Sequence, residues 1–370
     1  MKVGIDTFGL DHGQSGLGSY LYYIMSNLAQ DKDISYELFG QEIDRYTYKA
    51  NFDTEYAPVE ISDKIALQRS WHYFKMNNFA RQRKYDVVLY SAATRMIPPK
   101  FKTKGIAIVN DIVSYLIGGK HHKYLKTFGI HGLKKVDVII APSEYVKNDL
   151  IKLGFEKDRI KVIPNGIDHS LFYPHNLSES EYVDIKPFAI KKPYLIYPSK
   201  ISSVNKNYNQ LIKAFNIFKD KTKLPHRLVL AGSQNEYAEE VQKYVLESPY
   251  ASDIFMTGFF PHTELGPLYS NADACVFPSS KEGVGLPILE TMASGIPVVC
   301  ADKAALPEIS GGNAVFFNPD NIEEIADAIE TVVCNKEVRA ELIKKGTEWA
   351  KKFTWSNTAE KLVQVIKGDF

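Results

Sequence analysis

Short apolar runs, each closing on a polar or small residue, recur through the first half of the chain: KVGIDTF, YDVVLYS, KGIAIVND and VDVIIAPS. Between them apolar residues return every three or four positions, as in LYYIMSNLAQ, which is the spacing of one helix face. Strand, loop and helix repeated in this way predict a parallel sheet with helices on both faces. The series restarts after KVIPNGIDHSLFYP with PYLIYPS, HRLVLAGS, DIFMTGF, DACVFPS and IPVVCAD. The expected fold class is therefore α/β, with two Rossmann-like doubly wound domains facing each other across a cleft. Ligands in such sheets sit beyond the carboxyl ends of the strands. The expected limits are residues 1–174 for the first domain, a polar linker at 175–192 and the second domain at 193–356. A last helical pattern, about 357–370, is free to pack on either domain.

Composition agrees with this division. The 370 residues suit two domains, and 45% hydrophobic with 24% charged residues is the make-up of a soluble globular protein. A net charge of +1 gives the whole molecule no affinity for a polyanion, so no nucleic-acid partner is expected. The charge is unevenly spread. From Lys64 to Lys135 there are fifteen Lys or Arg against Asp86 and Asp111 alone. Such a region suits phosphate groups or an anionic membrane surface, and equally a solvated basic face. Residues 65–85, IALQRSWHYFKMNNFARQRKY, read as a basic amphipathic helix able to meet a membrane or a lipid-linked acceptor. The cysteines Cys275, Cys300 and Cys334 have no metal spacing, so reduced thiols are expected. MKVGIDTFGL lacks signal-peptide architecture and no apolar run reaches transmembrane length. A cytoplasmic protein, peripheral at a membrane surface at most, is the expectation.

Candidate chemistry concentrates in KEGVGLPILETMASGIPVV, residues 281–299. It follows the strand DACVFPS, and Pro287 suits the first turn of a helix because its missing N–H would be unpaired there. Gly283 and Gly285 let the backbone around Val284 and Leu286 approach a ligand, and free N–H groups at a helix start favour a phosphate. Glu282 and Glu290 would repel that phosphate unless each accepts hydroxyls flanking it, sugar on one side and ribose on the other. A nucleotide sugar carries hydroxyls at both ends of a diphosphate. Taken alone, the two carboxylates also fit a solvated loop acid and a complement to the helix dipole.

The stretch GFFPHTELGPLYSNADACVFPSSKEGVGLPILETMASGIPVVCADKAALPEISGGNAVFFNPDN resembles the retaining glycosyltransferases of family 4, whose fold is GT-B. SGLGSY, APSEYVKNDL, VIPNGID and FTWSNTAEKLVQVI extend the resemblance over nearly the whole chain. It implies transfer of a hexosyl group from a nucleoside diphosphate sugar to a hydroxyl of a glycan or lipid-linked acceptor. It also implies a retained anomeric configuration, with no metal and no cofactor beyond the sugar nucleotide. By the same resemblance Glu282 holds the donor sugar and Glu290 the ribose, while Lys200 and Lys206 hold the diphosphate. Where the family usually has arginine, Lys200 offers a point charge in place of a fork. Gly16 and Gly18 match a glycine loop beside the donor phosphate and acceptor, and alone they fall short of a dinucleotide fingerprint. Thr257, Gly258 and Glu264 fall in the region that meets the base, with GDP-mannose favoured over UDP-hexoses. Asn110 stands where the family commonly has histidine, followed by Asp111; an amide binds hydroxyls but carries no titrating proton near neutrality. Asn110 keeps open a non-catalytic nucleotide-sugar binder. The two-domain architecture also admits a nucleotide-sugar epimerase, and one Rossmann half an NAD-dependent dehydrogenase.

Overall fold

The computed structural model describes residues 1–118, 123–175, 180–185, 188–259 and 261–369. They divide into two compact units, Met1–Gly166 with Trp355–Phe370, and Ile167–Thr354.

The first unit holds a seven-stranded sheet: β1 (Lys2–Asp6), β2 (Ser35–Gly40), β3 (Glu55–Pro58), β4 (Val87–Tyr90), β5 (Lys104–Ile108), β6 (Val138–Ala141) and β7 (Ile160–Val162). All its pairings are parallel and the order is β3-β2-β1-β4-β5-β6-β7. The chain reverses its direction of travel across the sheet between β1 and β4. Each β4 residue is buried, as expected of a parallel strand covered by helices on both faces. The helix Trp355–Lys367 belongs to this unit. Its Trp355 stacks on Tyr23 at 5.0 Å, and Leu362, Val365 and Ile366 are buried with Leu21 and Ile24.

The second unit opens with an antiparallel pair, β8 (Tyr182–Ile185) and β9 (Phe188–Lys191), within the stretch read from sequence as a linker. Val183 and Ile190 from this pair are buried in the unit's core. Its main sheet has β10 (Tyr194–Pro198), β11 (Arg227–Ala231), β12 (Ile254–Gly258), β13 (Ala274–Phe277), β14 (Val298–Ala301) and β15 (Val315–Phe317). These run parallel in the order β12-β11-β10-β13-β14-β15. β10, β13 and β14 are wholly buried, which is why they read as unbroken apolar runs. The reversal lies between β10 and β13, so the loops after these two strands diverge and leave a crevice at their carboxyl ends. Among the described residues no helix is long and apolar enough to cross a membrane.

Candidate functional site

The loops after β10 and β13 are tied to each other. Asn207 adopts the left-handed conformation at φ +53° and donates its side-chain N–H to Pro278 O at 2.8 Å. Asn205 O accepts from Ser280 N–H at 2.9 Å. Beneath them the buried Tyr197 hydroxyl donates to Lys206 O at 3.0 Å. These bonds hold Lys206 at the end of a short turn, where its Nζ donates to Glu282 Oε1 at 2.5 Å. Both side chains are largely shielded, at 19% and 16% exposure, so the pair is stronger than one on an open surface. Lys200 stands exposed in the same loop. Gly232 explains how that loop lies so close to β11: a Cβ there would come within 2.1 Å of Ser199 O.

Gly285 begins the helix Leu286–Ala293 at φ +67°, a conformation that disfavours any side chain. Pro287 lies in the first turn, and the opening N–H groups of a helix have no intrahelical acceptor. Pro287 has no N–H and Ile288 N–H donates to Gly285 O at 3.0 Å, so of the helix's opening groups Leu286 N–H faces the loop that carries Glu282. Glu290 lies one turn into the helix and is 8% exposed. Burial pushes its carboxyl up to about 7, opposed by the Tyr269 hydroxyl, which donates to Oε2 at 3.3 Å. Thr257 and Gly258 end β12, two strands away across the sheet. Thr257 is buried with its hydroxyl donating to Leu230 O at 3.3 Å, while Gly258 at φ +76° has open space where a Cβ would go. Glu264 is half-buried just before the helix Leu265–Ser270.

The remaining candidates lie in the first unit. Ser15 caps the helix Gly16–Asn27, accepting from Gly18 N–H at 3.2 Å. Gly16 is exposed with open space around it, whereas a Cβ on Gly18 would meet Leu10 O at 2.5 Å and Gly13 Cα at 2.6 Å. Asn110 and Asp111 follow β5 and are half-buried; the Thr94 hydroxyl donates to Asp111 Oδ2 at 3.0 Å. Between these loops, after β4, Arg95 Nη1 donates to Gly9 O at 2.7 Å and to Asp11 Oδ2 at 2.6 Å. Sequence reasoning passed over Arg95, Thr94 and Tyr269. Arg95 is the only cation in the run between Tyr90 and Lys100, and that position after a strand was the available signal. Tyr269 reads as an ordinary apolar helix residue, so nothing marked it as a partner for Glu290.

Comparison with known proteins bears on this arrangement. The family model described as Glycosyltransferase Family 4 matches residues 14–171, and that described as Glycosyl transferases group 1 matches residues 179–349. The chain is 25% identical over 290 residues to O-antigen chain mannosyltransferase B of Escherichia coli, covering 77% of this chain and 75% of the relative. It is 26% identical over 235 residues to sulfoquinovosyl transferase SQD2 of Arabidopsis thaliana, covering 62% of this chain and 44% of that protein. The chain thus spans less than half the length of SQD2. Among solved structures, Anabaena HepE in complex with UDP and glucose superposes with a TM-score of 0.72 at 16% identity, covering 100% of both chains. That likeness is one of fold, two Rossmann-like sheets of the GT-B type.

Proposed function

The chain belongs to glycosyltransferase family 4, and from that premise we propose that it moves a hexosyl group from a nucleoside diphosphate sugar, GDP-mannose first and a UDP-hexose next, to an acceptor hydroxyl with retained configuration. The observation that carries this reading is the crevice in the second unit. There a shielded Lys206–Glu282 pair, a helix N-terminus and the buried Glu290 follow one another after β10 and β13. In this reading the diphosphate lies on the amides at Val284 to Leu286, with Lys206 and Lys200 meeting its charge. Glu282 accepts hydroxyls of the sugar and Glu290 those of the ribose. Thr257, Gly258 and Glu264 border the base. The sugar's C1–O bond to the β-phosphate breaks, a C1–O bond to the acceptor forms on the same face, and the acceptor proton passes to the departing diphosphate. The protein's part is to position the reactants and stabilise the leaving charge. The first unit's candidates in this reading are Gly16, Asn110 and Asp111, with Gly18 shaping its loop by close packing. GDP-mannose as donor is supported by the mannosyltransferase relative, and a UDP-hexose by the UDP complex of HepE.

The test is release of nucleoside diphosphate from GDP-mannose, UDP-glucose, UDP-N-acetylglucosamine and GDP-fucose, with and without chelator, alongside donor binding. Release from one donor that survives chelation is expected. Glu282→Gln should fold and lose most turnover, and Lys206→Ala should also weaken binding of the bare nucleoside diphosphate. Transfer by Glu282→Gln at the parent rate would remove Glu282 from the site. Tight binding of one donor without release, with candidate acceptors added, would favour a non-catalytic binder and turn attention to Asn110.

A further inference from the structure

In the first unit, the helix Ile65–Phe74 is anchored by His72, which is fully buried. Its Nδ1–H donates to Gln68 O at 2.8 Å, and its Nε2 lies 2.8 Å from Asp6 Oδ2 at the end of β1. Because this helix is fixed to the sheet, the side chains on its outer face have fixed origins. Arg69 is one of them. Its Nε–H donates to Arg95 O at 3.0 Å, and its guanidinium lies 4.2 Å from the centre of the Tyr124 ring. The Tyr124 hydroxyl is held in turn by Ile97 N–H and O, each at 3.1 Å. Among the described residues no carboxylate pairs with Arg69. Half-burial weighs against its charge, and so does neighbouring Arg95, whose own Nη1 is already engaged by Gly9 and Asp11. A rigid, half-buried guanidinium lacking an acid is matched to an oxyanion that two parallel N–H groups can grip.

An apolar path leads away from this fork. Tyr124 meets Phe128 at 6.3 Å, Phe128 meets Tyr73 at 5.8 Å, and Tyr73 meets Phe74 at 4.7 Å. Tyr73, Phe74 and Phe128 are 41%, 71% and 52% exposed, and exposed Lys75, Lys123 and Lys126 accompany them. Single exposed aromatic residues are ordinary, whereas a contiguous set rimmed by charge marks a contact surface. The fork and the path share Tyr124, so the site is charged at one end and apolar at the other.

We propose that this surface recognises a phosphate-linked lipid acceptor, with the phosphate on Arg69 and the apolar chain over Tyr73, Phe74 and Phe128. This rests on the transferase reading and names its acceptor class. Arg95 binds the loop after β1 from its place after β4, so the phosphate sits beside the carboxyl ends of the first sheet's central strands. The sugar-accepting hydroxyl is expected at those same ends.

The test uses the full chain and dodecyl phosphate below its micellar concentration, with binding followed by calorimetry in the absence of donor. Dodecyl phosphate should bind at least about tenfold more tightly than either inorganic phosphate or dodecyl maltoside. Arg69→Gln should weaken dodecyl phosphate by about tenfold or more. The double variant Phe74→Ser, Phe128→Ser should weaken dodecyl phosphate while leaving inorganic phosphate at its parent affinity. Parent-like binding of dodecyl phosphate by Arg69→Gln would overturn the proposal. Equal affinity for inorganic phosphate and dodecyl phosphate would overturn the lipid assignment in favour of a soluble phosphate, and equal affinity for dodecyl maltoside would reduce the surface to an unspecific apolar patch. Nucleoside diphosphate binding, measured on the same proteins, reports on the second unit and so tests the transferase reading separately.

Discussion

Glu290 is a carboxyl whose working range is set by burial: its pKa stands near 7 instead of in the ordinary carboxylate range. In the transferase reading, ribose hydroxyls donate best to the ionised form, so donor binding should pull the proton off. The affinity for nucleoside diphosphate is then expected to rise from pH 5.5 to about 7 and to level above it. Calorimetry in buffers of different ionisation enthalpy should show proton release near pH 6.5, and Glu290→Gln should abolish that release. In the free protein the sign is opposite in effect. A carboxyl raised on folding contributes stability below its unfolded pKa and loses it as pH rises towards 7, so bound nucleotide should stabilise most above neutrality. Glu282 and Glu290 were open to sequence reasoning because they lie in one strand–loop–helix unit, whereas Lys206, in the loop after β10, was reached only through the family resemblance. Arg69 was visible only as one of many cations, since its lack of an acid partner depends on Tyr124, Arg95 and the docking of a whole helix.

At the scale of elements, the glycine loop illustrates packing more than ligand contact. Gly18 lets the start of the helix Gly16–Asn27 lie against the backbone of Leu10 and Gly13. Gly18→Ala must push that loop away, because backbone atoms cannot rotate aside as a side chain would. Destabilisation of the first unit by about 1–3 kcal/mol is expected, while Gly16→Ala, with open space around it, should cost less than 1 kcal/mol. Urea denaturation followed by tyrosine or tryptophan fluorescence distinguishes them, and equal stability of the two variants would contradict the packing argument. The same local reasoning explains which strands were legible. β4, β10, β13 and β14 announce themselves because every residue in them is buried. β2 does not, because Glu37 interrupts SYELFG; it is fully buried and paired with Arg83 and Lys2, a solution supplied from elsewhere in the chain. β3 is a short edge strand containing Glu55 and Pro58, and the β8–β9 pair lies in a polar stretch. Polar edges and short hairpins depend on what they pack against, and apolar periodicity does not record it.

For the whole molecule, the chain passes between units at Gly166–Ile167 and again at Thr354–Trp355. The second unit is continuous in sequence and the first is not. Trp355, Leu362, Val365 and Ile366 fill the first unit's core, each worth about 1.5–3 kcal/mol if fully buried. Their sum is comparable to the entire stability of a typical domain, about 5–15 kcal/mol. Removal of residues 355–370 should therefore unfold or severely loosen residues 1–166 while sparing 167–354. Hydrogen exchange read peptide by peptide would show this, and retained protection in β1 and β4 would refute it. The discontinuity also has a consequence for synthesis. A growing chain exposes Tyr20, Leu21 and Ile24 early, yet their partners at Trp355–Lys367 emerge only after residues 167–354 have been made. The second unit can complete its core on the ribosome while the first waits with one face uncovered, so assembly finishes where translation began.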